Sequence, residues 1–268
     1  MKKIFISLFA ACMLVLTVNH AVEAKGKQDT DIVLTVGATP VPHGQLLNLI
    51  MPDLEAEGIT LKIVEFTDYV QPNMALLHGD LDANFFQTLP YLDSHREWAE
   101  KLIAVFGVHI EPFGLYSSRY KAISDLPNGA TIAIPNDPSN GGRALLLLQA
   151  KGYIVLRERA GLEPTIRDIT RNDRNFRFQE LEAAQLPRSL RDVDAACING
   201  NYAISAGLHP LRDALIIEGA DSPYVNIVVV RKGMENDPRI VALESALHSL
   251  KVKEYIISSY EGDIVPIF

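Results

Sequence analysis

Residues 133–145 read AIPNDPSNGGRAL: the end of a short apolar strand (Thr131 to Ile134), then two Asn, an Asp, two Pro, a Ser and two Gly, then Arg143. This is the sequence of a β-strand handing over to a helix. Pro138 suits a first helical position, and Asp137 before it is a good N-cap. Ser139 or Asn140 as the cap would start the helix slightly later. In either case unpaired backbone N–H groups open toward the carboxyl end of the strand. Arg143 falls about one turn in, where its planar fork can grip a carboxylate. The stretch is therefore either an anion seat or an ordinary β–α turn with a surface arginine, and the rest of the chain must decide.

The same alternation of strand and helix recurs along the sequence, which is the mark of an α/β fold. Strands are expected at Ile32 to Gly37, Leu61 to Phe66 and Leu81 to Phe86, with a long extended run from Ile103 to Tyr116. Helices are expected at Gln45 to Glu57, Asn73 to His78 and Tyr91 to Leu102. From Asp125 the pattern begins again: strands at Thr131 to Ile134, Phe176 to Leu181 and Val193 to Ile198, and helices at Ser139 to Lys151 and Ala183 to Leu190. Leu215 to Glu218 and Asn226 to Val230 read as extended, and Pro238 to Ser249 as a helix. The pattern predicts two α/β lobes, one built from residues 25–116 and 221–268 and the other from residues 117–220. Two crossings follow, near Phe113–Ser118 and near Glu218–Tyr224.

The first 24 residues stand apart. Lys2 and Lys3 precede an almost unbroken apolar run from Ile4 to Val18, and Val22-Glu23-Ala24 offers small residues for cleavage after Ala24. This reads as a secretory signal, too short for a membrane span. Phe9-Ala10-Ala11-Cys12 loosely matches a lipoprotein cleavage box, with Phe in place of an aliphatic residue and the apolar run continuing past it. Cleavage after Ala24 implies a freely diffusing protein, and lipidation at Cys12 a tethered one. Cys197 is the only other cysteine of the chain, so no internal disulfide is expected after cleavage.

A formal charge of −8, with no basic stripe, argues against nucleic acid as a partner. The seven histidines show no metal-ligand spacing, so no metal is expected. No Gly-x-Ser-x-Gly elbow and no phosphate-binding glycine loop is present, so neither catalysis nor a cofactor has a sequence advocate. What does recur is a set of amide- and aromatic-rich segments leaving the strands. These are Thr67-Asp68-Tyr69, Phe86-Gln87, His109 through Tyr116, Asn136 to Arg143, and Asn199-Gly200-Asn201-Tyr202. Ligands of open α/β sheets bind beyond the carboxyl ends of strands, and domain interfaces are preferred pocket sites. Phe85 and Phe86 point to opposite faces of a strand, so only one can face a pocket, and Phe86 is nearer the strand end.

Taken together in order, these motifs resemble one family over nearly the whole chain, from Ile32 to Phe268. The matching segments are Val36-Gly-Ala-Thr-Pro through His43, Phe66-Thr-Asp-Tyr-Val-Gln-Pro-Asn73, Asp82-Ala-Asn-Phe-Phe-Gln87 and Pro90-Tyr-Leu92. They continue with His109-Ile-Glu-Pro112, Ile134-Pro-Asn-Asp-Pro-Ser-Asn140, Arg143-Ala-Leu145 and Asn199-Gly-Asn-Tyr-Ala203. The chain resembles the methionine-binding proteins of the NlpA family, substrate-binding components of methionine ABC importers. That resemblance implies a two-lobed periplasmic-binding-protein fold, type II-like, with the ligand between the lobes. It implies an exported, non-enzymatic monomer that delivers methionine to a membrane permease with its ATPase. By similarity Arg143 holds the ligand carboxylate, helped by Asn140. Asn199 and Asn201 bind its backbone polar groups, with Gln87 and Asn136 close by. Tyr69, Phe86, His109 and Tyr116 surround the thioether, whose sulfur packs well on aromatic edges. Two departures bear on ligand choice: Thr88 stands where many relatives have His, and Gly141 where they have an acidic residue. D-methionine, a methionyl dipeptide, or an enzyme on the same scaffold remain the alternatives.

Overall fold

The computed structural model describes residues 32–219 and 222–268; the expected leader and Cys12 lie outside them. In chain order the strands are β1 (Ile32–Ala38), β2 (Ile59–Glu65), β3 (Ala83–Thr88), β4 (Leu102–Ile110), β5 (Gly114–Tyr116) and β6 (Thr131–Pro135). They continue with β7 (Val155–Leu156), β8 (Ile169–Arg171), β9 (Arg177–Leu181), β10 (Ala195–Ile198), β11 (Ile216–Ile217), β12 (Val225–Arg231) and β13 (Val265–Pro266). Apart from the small hairpin β7–β8, they form two sheets, ordered β13-β4-β12-β3-β1-β2 and β11-β5-β10-β6-β9.

Both sheets follow one plan. Three parallel strands (β2-β1-β3 and β9-β6-β10) meet an antiparallel fourth, β12 in the first sheet and β5 in the second. In each case that fourth strand is the first one the chain makes after arriving from the other sheet. The chain passes over at residues 111–113 and returns between β11 and β12. The two passages are tied by a hydrogen bond from Glu218 N–H to the Phe113 carbonyl at 3.0 Å. The long extended run expected from Ile103 to Tyr116 is thus two strands of different sheets. Because β5 pairs with β10, the first change of sheet falls just before Gly114, ahead of the division expected after Tyr116.

Apolar spacing accounts for the helices. In α1 (Gln45–Ala56) Leu46, Leu47, Ile50 and Leu54 are buried, and the helix runs out at Gly58, whose φ of 80° suits only glycine well. Likewise α2 (Gln71–His78) stops at Gly79. The single helix expected from Tyr91 to Leu102 is two, α3 (Leu89–Asp93) and α4 (Arg96–Lys101). There the Ser94 hydroxyl bonds the Tyr91 carbonyl and His95 turns extended, a local side-chain bond competing with the helical ladder. The opening stretch forms α5 (Pro138–Ala150), capped by Asp137, whose carboxylate accepts the Asn140 N–H at 2.8 Å. Between Ala183 and Leu190 only α6 (Leu186–Ser189) is α-helical, behind a 3-10 turn. Asn199-Gly200 is no hairpin turn: Asn199 is extended and Gly200 opens α7 (Gly200–Ser205).

Short α8 (Pro210–Asp213), the β7–β8 hairpin and α10 (Leu250–Tyr260) escaped the sequence pattern. The helix expected through Ser249 ends earlier, as α9 (Pro238–Leu247). Ser249 instead caps α10, which buries Val252, Ile256 and Tyr260 on one face.

Each sheet has its own core. Leu34, Val36, Phe85 and Val228 pack with Leu46, Ile50, Leu243 and Ile256 around the first. Phe113, Leu115, Ile132 and Ile134 pack with Leu145, Leu148 and Cys197 around the second. Burial pushes the Cys197 thiol far up, so it is an inert apolar filler.

The pair Gly141-Gly142 lets α5 lie against its surroundings. A Cβ at Gly141 would stand 2.8 Å from the Pro135 carbonyl oxygen, and one at Gly142 would stand 2.6 Å from that of Leu162. Gly142→Ala is expected to destabilise the protein by about 1–3 kcal/mol through overpacking, read as a lowered midpoint in thermal unfolding; an unchanged midpoint would refute this close approach.

Candidate functional site

Residues leaving the carboxyl ends of parallel strands in both sheets converge on one small polar cavity. Of the ten residues expected at a site, seven line it: Tyr69, Phe86 and Gln87 from the first lobe, and Asn140, Arg143, Asn199 and Asn201 from the second. Phe85, on the other face of β3, is fully buried in the core.

Three expected residues lie elsewhere. Tyr116 is 1% exposed and packs with Ala133, Leu186 and Ala196, on the face of the second sheet opposite Leu115. Its ring covers Gly114 rather than a slot. His109 is wholly buried behind Glu111, its Nε2 at 2.9 Å from Glu111 Oε1. Asn136 is exposed and lines a neighbouring cavity with Asp68, Asp137, Glu182 and Tyr202.

Sequence reasoning missed Thr88, Tyr91, Glu111, Gly200 and Asn226, which also line the cavity. Glu111 and Tyr91 stood inside quoted motifs, and their position just after a strand was the available signal. Asn226 lies in an apolar strand, where one buried amide among valines is a flag in itself.

One wall is aromatic. Tyr69 lies 5.9 Å from Phe86 and 5.8 Å from Tyr91 between ring centroids, and Tyr202 of the other lobe closes on it at 4.9 Å. The facing wall is polar, and its amides are oriented by their neighbours. Burial, with nearby acidic groups adding to it, pushes the Tyr69 phenol well above its ordinary value. It therefore stays protonated and donates to Asn201 Oδ1 at 2.6 Å, leaving Asn201 Nδ2 as a donor. Asn140 gives its N–H groups to Asp137 and accepts from Asn199 Nδ2 at 2.7 Å. Asn199 Oδ1 is buried without a partner, an acceptor waiting in the wall. Gln87 is committed to Asn73 and Asn84 through bonds of 2.7 to 2.9 Å, so its amide supports the wall.

The charged groups are two carboxylates and a guanidinium. Glu111 Oε1 faces His109 Nε2, with His43 Nε2 at 3.5 Å, while Oε2 accepts the Asn201 backbone N–H at 2.7 Å. Burial alone would raise the Glu111 carboxyl. The His109 hydrogen bond, the two imidazoles and the Asn201 N–H outweigh it and hold the group below the usual range. Glu111 also explains the glycine before Asn201: a Cβ at Gly200 would stand 2.7 Å from Glu111 Cβ. Arg143 turns its fork to Glu218, Nε to Oε1 at 2.8 Å and Nη2 to Oε2 at 2.6 Å, and Nη2 also reaches the Glu111 carbonyl.

The fold gathers donors that sequence spacing kept apart. His43, His109 and Glu111 have ligand atoms within 4.8 Å of one another. Their neighbours favour a hydrogen-bonded relay over a metal centre. His43 Nε2 faces Asn226 Oδ1 at 3.0 Å, and His109 Nδ1 lacks the outer partner that metal-bound imidazoles have. His43 is fully buried, and burial above all lowers its pKa from 6.5 to about 4. A folded state that refuses this proton loses stability as pH falls. The contribution is complete above pH 6.5 and drains away toward pH 4, amounting to about 3 kcal/mol. His43→Gln is expected to flatten the slope of thermal stability in that window; an unchanged slope would assign the acid sensitivity elsewhere.

The comparisons with known proteins identify the family. The NlpA lipoprotein family model matches residues 34–268. The chain is 45% identical over 236 residues to the membrane lipoprotein TpN32 of Treponema pallidum, covering 88% of each. It is 38% identical to the methionine-binding lipoprotein MetQ of Bacillus subtilis, covering 100% of this chain and 99% of the relative. A nutrient binding protein from Burkholderia cenocepacia, solved bound to methionine, superposes with a TM-score of 0.85 at 44% identity, over 88% of this chain and all of the other. With two α/β lobes meeting at one polar cavity, and with these matches along nearly its whole described length, the chain belongs to the NlpA lipoprotein family.

Proposed function

We infer that this chain is the substrate-binding component of an ABC importer and holds methionine, the L form first, between its lobes. The observation that carries the reading is that one small cavity is lined by both a guanidinium, Arg143, and a carboxylate, Glu111, beside an aromatic wall. A zwitterionic α-amino acid with an apolar side chain has that complement. Arg143 and the Nδ2 of Asn201 are donors for a carboxylate; Glu111 and Asn199 Oδ1 are acceptors for an ammonium. Tyr69, Phe86 and Tyr91 offer ring edges to a thioether. The names of the Bacillus subtilis relative and of the Burkholderia cenocepacia structure point to the same ligand.

Binding without turnover fits the names of the relatives, which are those of binding proteins. The apolar leader and the lipoprotein names of relatives support export, and the importer reading gives the chain a membrane permease with its ATPase as partner.

Mass spectrometry of what the gently purified protein releases on denaturation tests the ligand. Methionine is expected; a methionyl dipeptide would move the assignment, and turnover of an amino-acid substrate would replace it by an enzyme. Titration calorimetry with L- and D-methionine on stripped protein then reads the stereochemistry.

Arg143→Ala should weaken methionine by about 2–5 kcal/mol, roughly thirty-fold to several thousand-fold. It should also lower the melting temperature, because Glu218 keeps a nearly buried charge without its partner. A loss of affinity below about three-fold in calorimetry would take Arg143 out of the site.

A further inference from the structure

Arg143 touches both passages between the sheets. Its Nε and Nη2 hold the Glu218 carboxylate at 2.8 and 2.6 Å, and Nη2 reaches the Glu111 carbonyl at 3.0 Å. Its guanidinium carbon lies 4.1 Å from the Tyr224 ring centroid and 5.0 Å from that of Phe113. Glu111 and Phe113 belong to the outgoing passage, Glu218 and Tyr224 to the returning one. Glu218 is itself fixed, since Oε2 also accepts from the Ser222 hydroxyl at 3.2 Å and faces the Phe113 N–H at 3.4 Å. A planar guanidinium held by two of its nitrogens has no freedom left in the third. Among the described residues Nη1 has no hydrogen-bond partner, while Arg143 lines the cavity and Glu218 does not.

We propose that Glu218 is a positioning residue: by holding two nitrogens of Arg143 it aims the third at the ligand carboxylate and pins the two passages together. Carboxylate recognition and the setting of the hinge are then one event. Glu218 acts through Arg143 and never meets the ligand. The ligand part of this proposal rests on the amino-acid-binding reading above; the hinge part does not.

The test is Glu218→Gln, which keeps the shape of the side chain but sets an amide donor against the donors of the arginine. Calorimetry on stripped protein compares methionine with methioninol, which lacks the carboxylate. The wild type should prefer methionine strongly. The variant should lose methionine affinity by at least about ten-fold, equivalent to 1.4 kcal/mol, while methioninol changes much less, so the preference narrows. Equal losses for both ligands would make Glu218 scaffold only and overturn the proposal. So would methionine affinity within about three-fold of wild type, or a gain, which would show Glu218 competing with the ligand.

Solution scattering of the two ligand-free proteins reads the hinge independently, the variant being expected to have the larger radius of gyration. Should the wild type bind neither ligand, the amino-acid reading fails, and scattering alone decides the pin: a larger radius supports it, and an unchanged one overturns it.

Discussion

A charge taken out of water must be met by other charges or by hydrogen bonds, and this protein draws two carboxylates, one buried and one half-buried, out of water where its chain passes between sheets. Glu111 is answered by an imidazole and by a backbone N–H of α7; Glu218 is answered by the fork of Arg143. Each answer reaches from one structural unit to another, so satisfying the charges assembles the site. The glycine at position 200, the anchoring of the Asn201 backbone N–H and the direction of the arginine all follow from where these two pairs of oxygens sit. An isolated ionised carboxylate in an apolar interior would cost far more than either lobe could supply.

The aromatic side of the cleft obeys a different rule. Tyr69, Tyr91 and Tyr202 bring hydroxyl groups into a largely buried place, and each finds an acceptor: Asn201 Oδ1, the Tyr69 carbonyl and the Thr67 carbonyl. Two of these bonds cross from one lobe to the other. Rings that look like apolar lining therefore also latch the lobes, and the Tyr69 hydroxyl sets the orientation of the Asn201 amide.

Much of this was legible in the residues. Apolar spacing located the major strands and most longer helices, and the Asp137-Pro138 start of α5 placed Asn140 and Arg143 at the cavity. Legibility failed where a tertiary partner decides. Strand alternation separated Phe85 from Phe86, yet nothing in the sequence says which face of β5 meets the cleft, and Tyr116 went to the core. His109 has the chemistry of a ligand contact but is spent on Glu111, two residues on, a bond that only the turn of the passage creates. Glu218 was legible only as the end of an extended run and the start of a crossing; its arginine is 75 positions away. Short elements such as α8 and the β7–β8 hairpin carry too few turns of pattern to be seen.

The strand order also constrains how the chain reaches this state. In the first sheet β12 lies between β3 and β4, with β13 beyond β4 at the edge. Until Val225–Arg231 has been made, β3 and β4 have nothing to pair with between them, and the first sheet stays in two pieces. The second sheet, begun and ended within residues 114–217, carries no such debt to later sequence. A chain emerging from its N-terminus can thus complete its middle before its beginning. Such long-range pairings fold slowly, because the loop must close before the contacts reward it. The first sheet therefore stays incomplete until Val225–Arg231 arrives, and a chain not yet locked into its sheet is one that can still be threaded through a narrow pore.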